Sequence, residues 1–248
     1  MKNDSSQGIQ VISRAASILR EVVSNPDGMS LGQLAIATGL ARSTVQRIVN
    51  ALELEFLVQA GTGGVRPGWG LRRLGDLSGP SIASELRPNL FRLFEATGET
   101  VDLSTLASAE VLFLDRFLSE QGVRVIPDVG VHYPAYTMAT GKALLAGLDN
   151  DQIWAMYGKG TLERLTPKTI STVDMLIAQL DEIRAGSFAY DIEEHALGSC
   201  AIGLPVGISG GIQLAVSVVI PTERYLEQRQ AIERALRISA SDFARRLD

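Results

Sequence analysis

Between Ser30 and Leu54, two short apolar-periodic segments are separated by little more than one glycine, and that spacing leaves few folds open. Ser30 and Gln33 have the spacing of a capping box, in which each side chain satisfies a backbone N–H of the first turn, so a helix starts there. Leu31, Leu34 and Ala35 supply its buried side, and Gly39 follows as a left-handed stop. A second helix is expected from Ala41–Arg42 to about Leu54. Val45, Ile48, Val49 and Leu52 mark its apolar face, and Arg42, Ser43, Thr44, Gln46, Arg47 and Asn50 are its polar positions. A preceding helix over residues 9–24 carries Ile12, Ala15, Ala16, Leu19, Val22 and Val23 at helical spacing and ends in Asn25-Pro26-Asp27-Gly28. Two helices across a short glycine turn, with a third to pack on, form the helix-turn-helix pattern. In that pattern the second helix of the pair enters the DNA major groove, although similar three-helix arrangements also mediate protein contacts.

The next segment extends the pattern. Phe56–Ala60 predicts a strand, residues 61–64 a flexible turn, and Val65–Leu71 a return strand interrupted by Pro67 and Gly68. This is a β-hairpin wing, with Arg66 placed to reach a phosphate. Charge agrees with a polyanion reader at this end. The whole chain has a net charge of −5, yet residues 1–74 hold eight basic and five acidic side chains. Arg and Gln have the donor geometries for guanine and adenine edges, and hydroxyls near a helix start suit phosphate. The candidate DNA-binding residues are therefore Arg42, Ser43, Thr44, Gln46, Arg47 and Arg66.

Beyond the wing, residues 74–97 are helical in pattern but punctuated by Gly79-Pro80 and Pro88, with Leu86, Leu90, Phe91, Leu93 and Phe94 as an apolar stripe. They read as a linker helix leading into the second domain's first helix, each proline at or near a helix start. Strands are expected at Thr100–Leu106, Val111–Leu118, Val123–Ile126, Phe188–Tyr190, Ala201–Val206 and Ile212–Ile220. Helices are expected at Thr140–Gly147, Gln152–Tyr157, Thr172–Ala185 and from Thr222 to Leu247. Runs of strands with helices between them predict an α+β sandwich with a largely antiparallel sheet. The expected domains are residues 1–73 (winged helix-turn-helix), 74–98 (linker) and 99–248 (second domain).

Other classes are disfavoured. One cysteine, Cys200, excludes an intramolecular disulfide framework, and two histidines, His132 and His195, make a His-rich metal centre unexpected. Asp191, Glu193, Glu194, His195 and Cys200 lie close in sequence but read as a polar loop lining a pocket rather than a metal site. Gly207-Ile208-Ser209-Gly210-Gly211 fits the G-x-S-x-G nucleophile pattern, so a hydrolase using Ser209 is the alternative function. No histidine follows Ser209, however, and the segment lies between two predicted strands. No enzyme activity, cofactor or metal is expected. The N-terminal MKNDSSQG has no apolar signal core and no run of about 18 apolar residues occurs, so a cytoplasmic protein without a membrane span is expected.

Four segments together resemble the IclR-type transcriptional regulators. Residues 11–58 are similar to that family's winged helix-turn-helix, including G-L-x-R-S-T-V-x-R-I at Gly39–Ile48. HYPAYTMATGKALLAGL at His132–Leu148, YDIEEHALGSCAIGLPV at Tyr190–Val206 and AVSVVIP at Ala215–Pro221 resemble its later signatures, in order and at the right spacings. The resemblance implies a ligand-responsive regulator that binds double-stranded operator DNA as a homodimer or homotetramer. The second domain would bind a small, carboxylate-bearing effector and the linker would carry the coupling. Ala139, Thr140 and Gly141 precede a helix, so their N–H groups would meet the carboxylate. By the same resemblance Asp191 is the pocket acid, and Ser199, Cys200, Ala201 and Ser217 line the pocket. Two positions depart from the family. Ala201 stands at its usual cysteine, with Cys200 one residue early, and Val219 stands at its second strand serine. Both changes favour an effector with an apolar or aromatic part.

Overall fold

The computed structural model describes residues 4–77, 81–119 and 132–247. It divides into two compact units, Met1–Ser81 and Ile82–Asp248.

The first unit runs α1 (Asp4–Ser24), α2 (Leu31–Thr38), α3 (Arg42–Leu54), β1 (Val58–Gly61), β2 (Gly64–Pro67) and α4 (Trp69–Leu77). The Ser30–Gln33 capping box forms in both directions, and Gly39 ends α2 at φ 66° with its N–H on the Ile36 carbonyl. A side chain with a Cβ is disfavoured at that φ, which is why glycine stands there. Ile18, Val22, Leu34, Val45, Val49, Val58 and Val65 close one apolar core among the three helices and the hairpin. A bridge between Met29 and Val65 ties the turn before α2 to the wing. The return strand is shorter than the sequence predicts. It stops at Pro67 instead of reaching Leu71, and α4 begins at Trp69. Proline has no N–H to extend the ladder. The Gly70 N–H bonds the Phe56 carbonyl at 3.0 Å and the Trp69 ring lies 5.5 Å from that of Phe56, which pins the new helix start.

The second unit runs α5 (Ile82–Thr97), β3 (Thr100–Ala107), β4 (Glu110–Phe117), β5 (His132–Pro134), a 3₁₀ turn (Ala135–Thr137), α6 (Ala139–Leu145), α7 (Asn150–Tyr157), α8 (Val173–Arg184), β6 (Ala189–Ile192), β7 (Ser199–Ser209), β8 (Ile212–Pro221) and α9 (Thr222–Leu247). The described strands form one six-stranded sheet in the order β5-β4-β3-β8-β7-β6, antiparallel throughout. The predicted α+β class with an antiparallel sheet is therefore what forms. Helices cover both faces. On one, Leu86, Leu90 and Leu93 of α5 and Ile232, Leu236 and Phe243 of α9 pack on Val101, Leu103, Ile202, Val216 and Val218. On the other, Leu144 of α6 and Leu176 and Leu180 of α8 pack with Val111, Phe113 and Ala215.

Three local expectations change. His132, expected in a loop, lies in β5, where its backbone pairs with Leu112. Pro88 is inside α5, not near its start, and its side chain is exposed, on the side away from the buried Leu86–Leu90–Leu93 stripe. The expected strand Val123–Ile126 falls outside the described residues.

Candidate functional site

In the first unit, α3 separates into two faces. Val45, Ile48, Val49 and Leu52 are buried, whereas Arg42, Ser43, Gln46, Arg47 and Asn50 are all exposed and lie on one side of the helix. Thr44 is half-buried between the two faces, and Gln46 donates to Asn50 Oδ1 at 2.7 Å. Arg66 is exposed but folds back, its Nε donating to the Asp27 carbonyl at 3.0 Å, so it also fastens the wing to the turn after α1.

In the second unit, two adjacent cross-strand rows meet under α6. One row is Asp191, Ala201, Val219 and Thr100; the next is Ala189, Gly203, Ser217, Asp102 and Arg116. Side chains alternate across a strand, so these rows share one face of the sheet. They bound a cavity of about 20 Å³ lined by Asp102, Phe113, Met138, Ala139, Thr140, Asp191, His195, Ser199, Ala201, Ser217 and Val219. That space holds roughly one water, so a larger occupant must displace side chains.

Four polar members of the lining are deeply buried. Asp102, Thr140, Asp191 and Ser217 are each 4% exposed or less. Asp191 accepts the Glu194 N–H at 2.7 Å and the His195 N–H at 3.3 Å. Even so, burial pushes its carboxyl up to about 7, against the pull of these bonds and of Lys142. Burial likewise raises Asp102, against the opposing pull of the Arg116 guanidinium that it touches. Burial lowers His195 below the usual imidazole range. Its ring sits edge-on to Tyr133 at 5.0 Å, with Nδ1 3.4 Å from the Thr137 hydroxyl. Behind the cavity the Lys142 ammonium is buried on Glu194 and on the Tyr190 carbonyl.

Six of the eight residues expected around an effector come together here: Ala139, Thr140, Asp191, Ser199, Ala201 and Ser217. Gly141 and Cys200 do not. A Cβ at Gly141 would collide with the Ala135 carbonyl, so that glycine serves the packing of α6 on the preceding 3₁₀ turn. Cys200 alternates to the opposite face, in the α5–α9 core, with its Sγ 3.5 Å from the Thr222 hydroxyl. Burial raises its thiol above the usual range, which keeps it protonated. Asp102, Phe113 and Met138 were not expected in the lining, whereas His195 belongs to the polar loop expected to line a pocket. The only sequence signal for Asp102 is its place in a strand between Val101 and Leu103.

The two other chemistries the sequence raised are not assembled among the described residues. Ser209 ends β7 and pairs with Ile212 across Gly210-Gly211, whose φ values are 55° and 79°. Two consecutive positive φ values make a two-residue hairpin turn, not the strand-to-helix elbow a nucleophilic serine requires. The hydrolase alternative is therefore corrected. Glu193 and Glu194 are taken up by Lys168 and Lys142. Among the described residues, no group of three or more His, Cys, Asp or Glu side chains is placed to hold a metal ion. No helix of the described chain is long and apolar enough to cross a membrane.

Comparison with known proteins adds to this geometry. The chain matches the family described as bacterial transcriptional regulator IclR C-terminal over residues 75–245, and the IclR helix-turn-helix domain over residues 11–60. It is 41% identical to the HTH-type transcriptional regulator TtgV of Pseudomonas putida over 231 residues, covering 92% of this chain and 88% of that one. It is 37% identical to the HTH-type transcriptional regulator Rv1719 of Mycobacterium tuberculosis over 237 residues, covering 93% and 90%. In structure it resembles an IclR homolog from Microbacterium hydrocarbonoxydans complexed with 4-hydroxybenzoate, with a TM-score of 0.77, 23% identity and coverage of 96% and 98%.

Proposed function

The chain belongs to the IclR family of DNA-binding transcriptional regulators, and from that premise we propose that a small effector in the second unit tunes how the first unit reads an operator. The observation that carries the effector reading is the convergence of Asp191, Thr140 and Ser217, all buried, on one cavity beneath α6. Ala139, Ser199 and Ala201 complete its lining. The occupant is a small carboxylate with an apolar or aromatic part, in keeping with Ala201 and Val219 where hydroxyl or thiol groups would make the cavity more polar. The structural neighbour complexed with 4-hydroxybenzoate is one example of such a ligand on this fold. Regulation then follows from unequal effector affinity for two states of the protein.

On the DNA side, Arg42, Ser43, Gln46 and Arg47 read bases and anchor phosphates from the exposed face of α3. Thr44 contributes at the rim of that face and Arg66 from the wing. The excess of positive charge over residues 1–74 is modest, so useful affinity comes from a homodimer or homotetramer on a repeated half-site. The expected site of action is the cytoplasm. Selection of sites from random duplex DNA, followed by mobility shift at stated salt, tests this reading. Arg42→Ala and Arg47→Ala each weaken the selected site by roughly 5- to 150-fold, a loss of about 1–3 kcal/mol if they read bases. Absence of any salt-dependent, sequence-selective binding sinks the DNA reading. On the effector side, ligand-induced stabilisation that survives combined Asp191→Ala, Ser199→Ala and Ser217→Ala substitution places the pocket elsewhere.

A further inference from the structure

A carboxylate entering this cavity meets two buried carboxyl groups, Asp102 and Asp191, so it needs a cation. Lys142 does not line the cavity, and its ammonium is held by Glu194 and the Tyr190 carbonyl. Arg116 differs. Strands β3 and β4 pair Leu103 with Asp115 and Ser104 with Phe113, so Leu114 is an extra residue in β4. Such a bulge re-aims the side chains around it. Here it brings Phe113 and Arg116, three residues apart, to the cavity face, while Asp115 turns to Arg87 of α5. The Arg116 side chain is 4% exposed. Its Nε donates to Asp102 and its Cζ lies 4.6 Å over the Phe113 ring, and both of those residues line the cavity. Its two terminal nitrogens are buried and, among the described residues, have no hydrogen-bond partner.

A guanidinium buried with unused donors is costly, and a carboxylate accepts two of them in parallel. We propose that Arg116 is the anion-recognition residue of the cavity, its free terminal nitrogens taking the carboxylate of a small monocarboxylic effector. Asp102 and the Phe113 ring hold the guanidinium plane in place for that contact. Asp102 then acts as the counter-ion of Arg116 rather than as a ligand group. This assignment rests on the effector reading above and names the charge class of its ligand.

The test titrates full-length protein by calorimetry with acetate, pyruvate, benzoate and 4-hydroxybenzoate, each against its neutral amide. Wild type binds at least one carboxylate about tenfold or more tightly than the matching amide. The double variant Asp102→Asn/Arg116→Gln replaces the ion pair with a neutral pair and leaves no unpaired buried charge; it loses that preference. Arg116→Lys keeps the charge without the fork and weakens the carboxylate severalfold while sparing the amide; it carries the test if the double variant does not fold. The proposal is overturned if no carboxylate binds, if amides bind equally well, or if both variants keep the preference. Ser217→Leu, which fills the cavity floor, separates the two ideas. Carboxylate binding that survives it refutes the pocket itself. Binding lost there but undiminished in the Arg116 variants refutes only the role of Arg116.

Discussion

The two faces of the central sheet in the second unit are built from the same strands yet differ in kind. The face under α5 and α9 is apolar almost throughout, with Val101, Leu103, Cys200, Ile202, Val216, Val218 and Ile220 in contact with leucines and aromatics. The face under α6 and α8 carries Asp102, Ser104, Asp191 and Ser217 at alternate positions of those strands, all buried. The first face supplies stability mainly by buried apolar area, apart from the Arg87–Asp115 ion pair. The second carries ion pairs and unfilled hydrogen-bonding capacity. Arg116 keeps two terminal nitrogens, Glu194 one carboxylate oxygen and Ser104 its hydroxyl buried without hydrogen-bond partners among the described residues. A fold that only needed a core would not place these groups there. The comparison therefore puts the polar groups of the proposed effector site on one side of the sheet.

The sharpest way to break this contrast is through Lys142, which is completely buried. Lys142→Met leaves the Glu194 carboxylate buried without its partner and costs about 3–5 kcal/mol by denaturant unfolding. Adding Glu194→Met restores most of that loss, because an apolar pair of similar volume tolerates the site. On the opposite face Leu236→Ala costs about 3 kcal/mol, from lost burial and the cavity left behind, and has no polar partner whose removal would compensate. If the Lys142–Glu194 double variant is no more stable than Lys142→Met alone, the two faces do not differ in the way described.

A smaller effect concerns pH. Burial raises the Asp191 carboxyl to about 7, whereas in an unfolded chain it titrates near 4. Between those values the folded protein holds a proton that the unfolded chain has released. The stability of the wild type therefore falls as pH rises from about 4 to about 7, and this contribution is then flat. Asp191→Asn keeps an acceptor for the Glu194 N–H but does not titrate. The stability difference, variant minus wild type, should grow by on the order of 2 kcal/mol between pH 5 and pH 8. A difference independent of pH would show that Asp191 is ionised across the range.

How much of this was legible beforehand follows from the same two faces. The helix-turn-helix was readable because its signals are local: the Ser30–Gln33 box, Gly39, and an apolar stripe at helical period. Asp191, Ser199, Ala201 and Ser217 were placed by resemblance to a family, and the sheet rows bring them together. Asp102 was not found. An Asp between Val101 and Leu103 reads as the solvent side of a half-buried strand, and only the covering of that side by α6 makes it interior. Arg116 was invisible for another reason. The bulge at Leu114 breaks the period-two count, so simple alternation assigns Phe113 and Arg116 to opposite faces. Cys200 failed the other way, since resemblance grouped it with its neighbours while strand alternation turns it from the cavity.

That last residue gives the finest test, since Cys200 and Ala201 are adjacent in sequence and belong to opposite faces. Cys200→Ala removes a buried sulfur from the apolar side and should cost about 1 kcal/mol. It should leave the ligand response unchanged. Ala201→Cys adds one sulfur to the cavity side, where about 20 Å³ of space remains, and should change stability little. It should alter the ligand preference severalfold, disfavouring the bulkier apolar effectors that compete for that volume. The opposite pattern, with ligand response moved by Cys200→Ala and untouched by Ala201→Cys, would mean that the strand presents its other face to the effector and that the polar rows serve stability alone.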